Sequence, residues 1–136
     1  EFVHDTMVDD TETRCSKRRP DFVIKKDGYD IIIEVDENQH KSYVEECEIT
    51  RMKQIYFDFG GLKLIFFRLN PDKYKNHLGQ NKNERLATRN EKLYEYIKYY
   101  DNISYEEIDK NIKVYYFYYD GFDGNVAEIK YIDPYE

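Results

Sequence analysis

Three carboxylates and one histidine lie close together in the first third of the sequence, in the order Asp21, Glu34, Asp36 and His40. Hard oxygen ligands in that number are the ones that Mg²⁺ or Mn²⁺ prefers in proteins. Histidine is the side chain whose ordinary pKa lies nearest to neutral pH, so it suits a proton acceptor. These residue types therefore predict a divalent-cation site with a general base beside it.

A tight β-hairpin would bring the three carboxylates together. Residues 21–26 form a short β-favouring run, Asp27-Gly28 is a typical two-residue turn, and residues 29–36 form a second, apolar run. Antiparallel pairing then places the first carboxylate opposite the end of the second strand, beside Glu34 or Asp36. Like charges at a partly buried sheet end repel one another unless a cation neutralises them, which supports the predicted metal site.

The remaining segments predict a mixed sheet flanked by helices. The elements expected after the hairpin are a helix at residues 41–59, a strand at residues 62–69, a helix at residues 83–100 and tyrosine-rich strands at residues 113–119 and 126–132. Because the first helix connects two apolar strands, we expect those strands to be parallel and adjacent. Residues 1–12 are interpreted as a loop or the tail of an interrupted helix. The fold class is therefore α+β in one domain spanning residues 1–136.

The motifs around the hairpin resemble those of the PD-(D/E)xK nuclease superfamily, and most of all the branch of the very-short-patch-repair endonucleases and related homing endonucleases. Members of that branch carry, in this order along the chain, motifs like RPDF and IEVDGxxH, then a single arginine, a single glycine and a motif like VLRF. The matching residues here are Arg19-Pro20-Asp21-Phe22, Ile33-Glu34-Val35-Asp36, His40, Arg51, Gly61 and Leu64-Ile65-Phe66-Phe67-Arg68. The match covers residues 18–71, and the resemblance implies a restriction-endonuclease-like core of about residues 13–71. Residues 72–136 match nothing and form a helical and β extension that ends in a tyrosine-rich hairpin.

The resemblance also implies an activity, the hydrolysis of phosphodiester bonds in a nucleic acid, most plausibly DNA. Mg²⁺ or Mn²⁺ held by Asp21 and Asp36, with Glu34 or a backbone carbonyl, would polarise the phosphate and acidify a bound water. His40 would then take the proton or hold the water in line. Phosphate contacts are assigned to the basic run Lys17, Arg18 and Arg19.

Two further residues lie one helical turn apart after the hairpin. Glu48 and Arg51 have the spacing of neighbours on a helix surface, and the resemblance places them around the metal ligands. The alternative is an ion pair between these two side chains with a purely structural role.

The chain departs from the superfamily at one catalytic position. The lysine that gives the superfamily its name would fall two residues after Glu34, where this sequence has Asp36. His40 is the residue that substitutes for it in our interpretation. The missing lysine also leaves a second function open, a nucleic-acid-binding module that retains the fold without catalysis.

Composition limits the classes of protein without choosing between these functions. The 136 residues carry a formal net charge of −7, but basic residues gather at residues 14–19 and 73–92, so the net charge does not exclude a nucleic-acid partner. The apolar runs are too short to span a membrane. Only Cys15 and Cys47 occur, so we expect reduced thiols and an intracellular protein, cytoplasmic or nuclear, compatible with a viral or mobile-element origin.

Overall fold

A computed structural model describes residues 2–4, 7–8, 17–40, 45–126 and 128–136. Within them lie two α-helices, α1 (Glu45–Asp58) and α2 (Leu86–Tyr100). The strands are β1 (Phe2–His4), β2 (Met7–Val8), β3 (Lys17–Arg18), β4 (Phe22–Lys25), β5 (Tyr29–Val35), β6 (Lys63–Leu69), β7 (Tyr74–Lys75), β8 (Asn81–Lys82), β9 (Ile112–Phe117) and β10 (Glu128–Ile132). Short 3-10 segments occur at Glu37–His40 and Tyr105–Glu107.

The central sheet has six strands in the order β1-β4-β5-β6-β9-β10. Strands β4 and β5 pair antiparallel around Asp27-Gly28, and β6 lies parallel and adjacent to β5, as the sequence predicts. Strand β9 extends the sheet parallel to β6, and β10 returns antiparallel to β9. The predicted α+β class and the C-terminal hairpin are confirmed. The C-terminal half completes the same sheet that begins in the N-terminal half.

One sequence prediction differs from the structure, and two later segments have features that the sequence analysis did not describe. Phe2–His4 and Met7–Val8 are strands, not a loop or the tail of a helix, and β1 pairs with β4 at the edge of the sheet. The connection after β6 contains a small hairpin of β7 and β8. Leu86 begins α2 but is 62% exposed, because the inward face of this helix starts one turn later. The start of the predicted helix at residues 41–44 lies outside the described residues.

The sheet separates two apolar cores because side chains alternate between its faces. On the α1 side the core contains Ile32, Met52, Ile55, Tyr56, Leu64, Phe66, Ile112 and Val114. On the other side α2 packs over a more aromatic core that includes Ile31, Ile33, Ile65, Phe67, Tyr100, Tyr115 and Phe117. Glu34 and Asp36 alternate with Ile31 and Ile33, so they belong to the α1 face.

The tyrosine-rich segment after residue 112 packs mainly inside the protein. Tyr115 and Tyr118 are buried in the core under α2, and their rings contact Phe117 and Phe122. Buried rings are not available to stack on the bases of a nucleic acid. Core packing therefore explains most of the aromatic content here.

Two glycines end α1 where the sequence predicts. Gly60 and Gly61 have φ values of 79° and 74°, and their amides bond to the carbonyls of Phe57 and Tyr56. This is the Schellman arrangement, in which a residue of left-handed conformation satisfies the last carbonyls of a helix. The chain reverses here and enters β6.

Neither helix in the described part of the chain has the length and apolar character required to cross a bilayer. The prediction of reduced thiols is wrong for Cys47, which is half-buried in α1 and disulfide-bonded. The only other cysteine of the sequence, Cys15, lies outside the described residues.

Shortening a buried side chain at the centre of the sheet should lower the free energy of unfolding much more than shortening an exposed side chain at its edge. Ile65 is fully buried in β6, so Ile65→Ala should lower the free energy of unfolding by about 2–5 kcal/mol through lost contacts and a residual cavity. Ile129→Ala is the matched control, because Ile129 in β10 is 41% exposed, and it should cost less than about 1 kcal/mol. Equal costs in urea unfolding curves would contradict this description of the core.

Candidate functional site

Asp21 lies at the start of β4, beside the carboxyl end of β5. Its Oδ2 atom accepts the backbone N–H of Val35 at 2.8 Å, and the side chain is half-buried. The observed pairing of Phe22 with Ile33 places Asp21 next to Glu34 across the hairpin, as the predicted turn requires. The sequence-predicted carboxylates are therefore neighbours at one end of the sheet.

Glu34 is fully buried and held by an arginine of α1. Both of its carboxylate oxygens accept hydrogen bonds from the Arg51 guanidinium, Nη2 to Oε2 at 2.7 Å and Nη1 to Oε1. Arg51 also reaches the backbone carbonyl of Arg19 at 3.4 Å. A bidentate pair of this kind neutralises a carboxylate that could not stay charged alone inside a protein.

Asp36 is also fully buried, and its partner comes from β6. Arg68 donates from Nε to Oδ2 at 2.5 Å and from Nη2 to Oδ1 at 3.1 Å. The same Nη2 donates to Glu48 of α1 at 2.6 Å, and Nη1 faces the sulfur of Met52 at 3.7 Å. Burial lowers the pKa of the Arg68 guanidinium, but the charge of Asp36 and its hydrogen bonds prevail and raise that pKa well above the usual value. Arg68 therefore stays charged inside the core.

A tyrosine from the C-terminal half adds a further contact to Asp36. The Tyr119 hydroxyl donates to Asp36 Oδ2, the atom that also accepts Arg68 Nε. Burial, followed by the charge of Asp36, raises the pKa of the Tyr119 hydroxyl. Tyr119 thus remains a protonated donor at neutral pH.

The Glu37–His40 segment that follows Asp36 has an unusual backbone. Asn38 and Gln39 both have left-handed φ values, 51° and 57°, which non-glycine residues seldom adopt. Two aspartates hold this turn. Asp72 Oδ2 accepts the Asn38 amide at 2.6 Å. Asp120 Oδ1 accepts from Gln39 Nε2 at 3.0 Å, and the Asp120 amide donates to Gln39 Oε1 at 2.8 Å. Outside contacts of this kind can maintain a backbone conformation that is unfavourable by itself.

The structure describes the other predicted site residues to different extents. His40 ends the turn, and Lys17 and Arg18 form β3, but only the backbone of these three residues is described. Arg19 is exposed. Glu48 and Arg51 each contact the buried acidic end of the sheet, Glu48 through Arg68 and Arg51 through Glu34.

The carboxylates fit a shared cation only in part. Each oxygen of Glu34 and Asp36 accepts a hydrogen bond from a guanidinium, so a cation at either residue would have to displace Arg51 or Arg68. Of the three carboxylates, Asp21 alone is half-buried rather than fully buried, and it belongs to neither the Glu34–Arg51 pair nor the Asp36–Arg68 pair. Among the described residues, no group of three or more acidic, histidine or cysteine side chains is arranged to hold a metal ion.

Sequence reasoning gave no role to three residues that organise this site: Arg68, which it named only as part of the motif, Tyr119 and Asp120. Arg68 carried a usable signal, because a charged residue inside an apolar strand requires a buried partner on the same face. Tyr119 and Asp120 carried none, since each joins a residue more than 80 positions earlier in the chain. Comparison of the chain with protein-family models, with curated proteins and with solved structures gives no match.

The Glu34–Arg51 pair gives a first test of this site. Arg51→Met should lower the free energy of unfolding by about 3–5 kcal/mol, because it leaves the Glu34 charge buried without its bidentate donor. The double variant Glu34→Gln/Arg51→Met should recover part of that loss. Lys92→Met, which removes a surface pair with Glu95 at 3.6 Å, is the control and should cost less than about 1 kcal/mol. A small effect of Arg51→Met in urea unfolding would refute the buried pair.

The contacts of the left-handed turn give a second test. Asp120→Ala removes the carboxylate that accepts from Gln39 Nε2 and keeps the backbone amide that donates to Gln39 Oε1. The amides of Asn38 and Gln39 should therefore exchange with solvent about fivefold faster, as expected for the loss of about 1 kcal/mol of hydrogen bonding. Asp109→Ala, an exposed acidic residue before β9, is the control. Amide hydrogen exchange by NMR measures both. Unchanged protection in Asp120→Ala would show that the turn holds without this contact.

Proposed function

We propose that this chain is an endonuclease that hydrolyses phosphodiester bonds of nucleic acid, with DNA as its substrate and Mg²⁺ or Mn²⁺ as cofactor. One observation carries the proposal: Asp21, Glu34 and Asp36 lie at the same end of an antiparallel hairpin that a helix connects to a parallel strand. This is the arrangement that the motif resemblance implies for a restriction-endonuclease-like core. The residues from Arg19 to Arg68 that carry the motif lie in these elements.

In this proposal each side chain has a separate task. Asp21 binds the cation, which supplies positive charge against the phosphate and acidifies water. His40 takes a proton from the attacking water. Arg19, with Lys17 and Arg18 before it, contacts neighbouring phosphates, and exposure of the Arg19 side chain is consistent with that task. Glu34 and Asp36 hold Arg51 and Arg68, and each would bind the cation only after its arginine has moved.

A second function is favoured by a specific observation. Glu34 and Asp36 are both paired with arginines, so these two buried charges are balanced without a cation, as a binding module without catalysis would require. Such a module would bind nucleic acid through the same basic residues. Cation binding and cleavage distinguish the two functions, since the module has no need of either.

The test of the proposal is a cleavage assay on supercoiled plasmid, linear duplex, single strands and structured RNA, with Mg²⁺, Mn²⁺ or EDTA. We expect cleavage of DNA that requires the cation, falls about 10²- to 10⁴-fold in His40→Ala as for loss of a general base, and falls further in Asp21→Asn. Asp27→Asn is the control, because Asp27 is an exposed carboxylate in the turn of the same hairpin. DNA binding should survive His40→Ala and weaken in Arg18→Ala/Arg19→Ala.

Cation binding is measured separately by thermal unfolding. Mg²⁺ or Mn²⁺ should raise the melting temperature through preferential binding to the folded state, and Asp21→Ala should abolish that rise. Nucleic-acid binding without cleavage, together with a melting temperature that no cation changes, would favour the binding module. If neither binding nor cleavage occurs, both functions fail.

A further inference from the structure

A second set of exposed basic side chains lies on the small hairpin after β6 and belongs to a different segment from the basic run before Asp21. Lys73, Lys75, Lys82 and Arg85 are all exposed on or beside strands β7 and β8. Two acidic side chains border this segment, and each accepts a hydrogen bond: Asp72, itself exposed, from the Asn38 amide, and the half-buried Glu84 from the Tyr74 hydroxyl. The four basic side chains outnumber these two acidic ones. A chain with a net charge of −7 thus presents a locally positive hairpin to solvent.

The hairpin is anchored to the body of the protein by contacts that do not use its lysine side chains. Tyr74 is buried against Tyr118 and Phe122, and the amide of His77 bonds to the carbonyl of Phe122 at 3.1 Å. The fully buried Arg89 donates to the backbone carbonyl of Asp72 at 2.9 Å. The lysines therefore project from a supported backbone, and this support is what a preformed binding surface requires.

Two aspartates link the first strand of the hairpin, β7, to the turn that ends at His40. Asp120 Oδ1 accepts both the backbone amide of Lys75, at 2.9 Å, and the Gln39 side chain, at 3.0 Å. Asp72, the neighbour of Lys73, holds the Asn38 amide of the same turn. Strand alternation puts Lys75 on the face opposite to the buried Tyr74. Lys73 and Lys75 are therefore fixed in position relative to the candidate site.

We propose that Lys73 and Lys75 form a second phosphate-contacting surface for a nucleic-acid strand that is bound at the candidate site. This inference rests on the proposed function and extends it, because it names where the strand runs beyond Arg19. Lysine ammonium groups act as point charges toward phosphate and read no base, so the surface would add affinity without sequence preference. Asp72 and Asp120 link the backbone around both lysines to the Glu37–His40 turn. A nucleic-acid strand bound at the candidate site is therefore favoured over a lipid surface as the ligand of these lysines.

The experiment compares two variants that remove the same charge. Lys73→Ala/Lys75→Ala is the test, and Lys98→Ala/Lys110→Ala, on α2 and in the loop before β9, is the control. Binding to a short DNA duplex is measured by fluorescence anisotropy in EDTA over a range of salt concentrations. Two lost phosphate contacts should weaken binding and make the slope of log K against log salt shallower by about 1.8, while the control keeps the wild-type slope. Thermal unfolding checks that both variants are folded.

The outcomes distinguish failure of the second phosphate-contacting surface from failure of the proposed function. If the wild type binds DNA and both double variants retain its slope, the surface is refuted while the proposed function stands. An equal loss in the control refutes it as well, since the effect is then one of net charge alone. The same variants are also tested for binding to vesicles that contain phosphatidylserine. If the protein binds these vesicles as tightly as DNA, and the binding requires Lys73 and Lys75, the surface is assigned to a membrane. A wild type that binds no nucleic acid removes the proposed function itself.

Discussion

The buried ion pair between Arg68 and Asp36 is the constraint on which the arrangement of the site depends. A guanidinium that is 2% exposed must have its charge balanced and its donors satisfied, or the core loses several kcal/mol. That requirement brings four elements to one point: Asp36 after β5, Arg68 in β6, Glu48 in α1 and Tyr119 after β9. The end of the sheet is therefore specified by electrostatics, whereas its middle is specified by apolar packing.

The same constraint limits the chemistry of the site. A divalent cation and a guanidinium compete for the same carboxylate oxygens, because both require negative charge at short distance. In this chain the arginines hold Glu34 and Asp36, and Asp21 lies outside those two pairs. A catalytic arrangement that uses all three carboxylates would thus differ from the present one in the positions of Arg51 and Arg68. An arrangement centred on Asp21 would leave both pairs intact.

The sequence contained enough local information to predict the hairpin, the parallel strand and both helices. Asp27-Gly28 identified the turn, and the alternation from Ile31 to Asp36 placed two carboxylates on one face, which the structure confirms. The partners of those carboxylates could not be predicted in the same way. Tyr119 lies 83 residues from Asp36, and no periodic pattern connects positions so far apart. The left-handed turn at Asn38 and Gln39 was equally hidden, because long-range contacts hold it and glycine is absent there.

The position of β9 also determines when the site can form as the chain folds. Strand β9 is the parallel neighbour of β6, yet 42 residues separate the end of one from the start of the other, so this pairing closes a long loop. During synthesis from the N-terminus, the hairpin, α1 and β6 emerge well before Tyr119 and Asp120 do. Asp36 and the His40 turn lack those two partners until the C-terminal half has been made. The acidic end of the sheet is therefore among the last regions to reach its final form, although its carboxylates are among the first residues made.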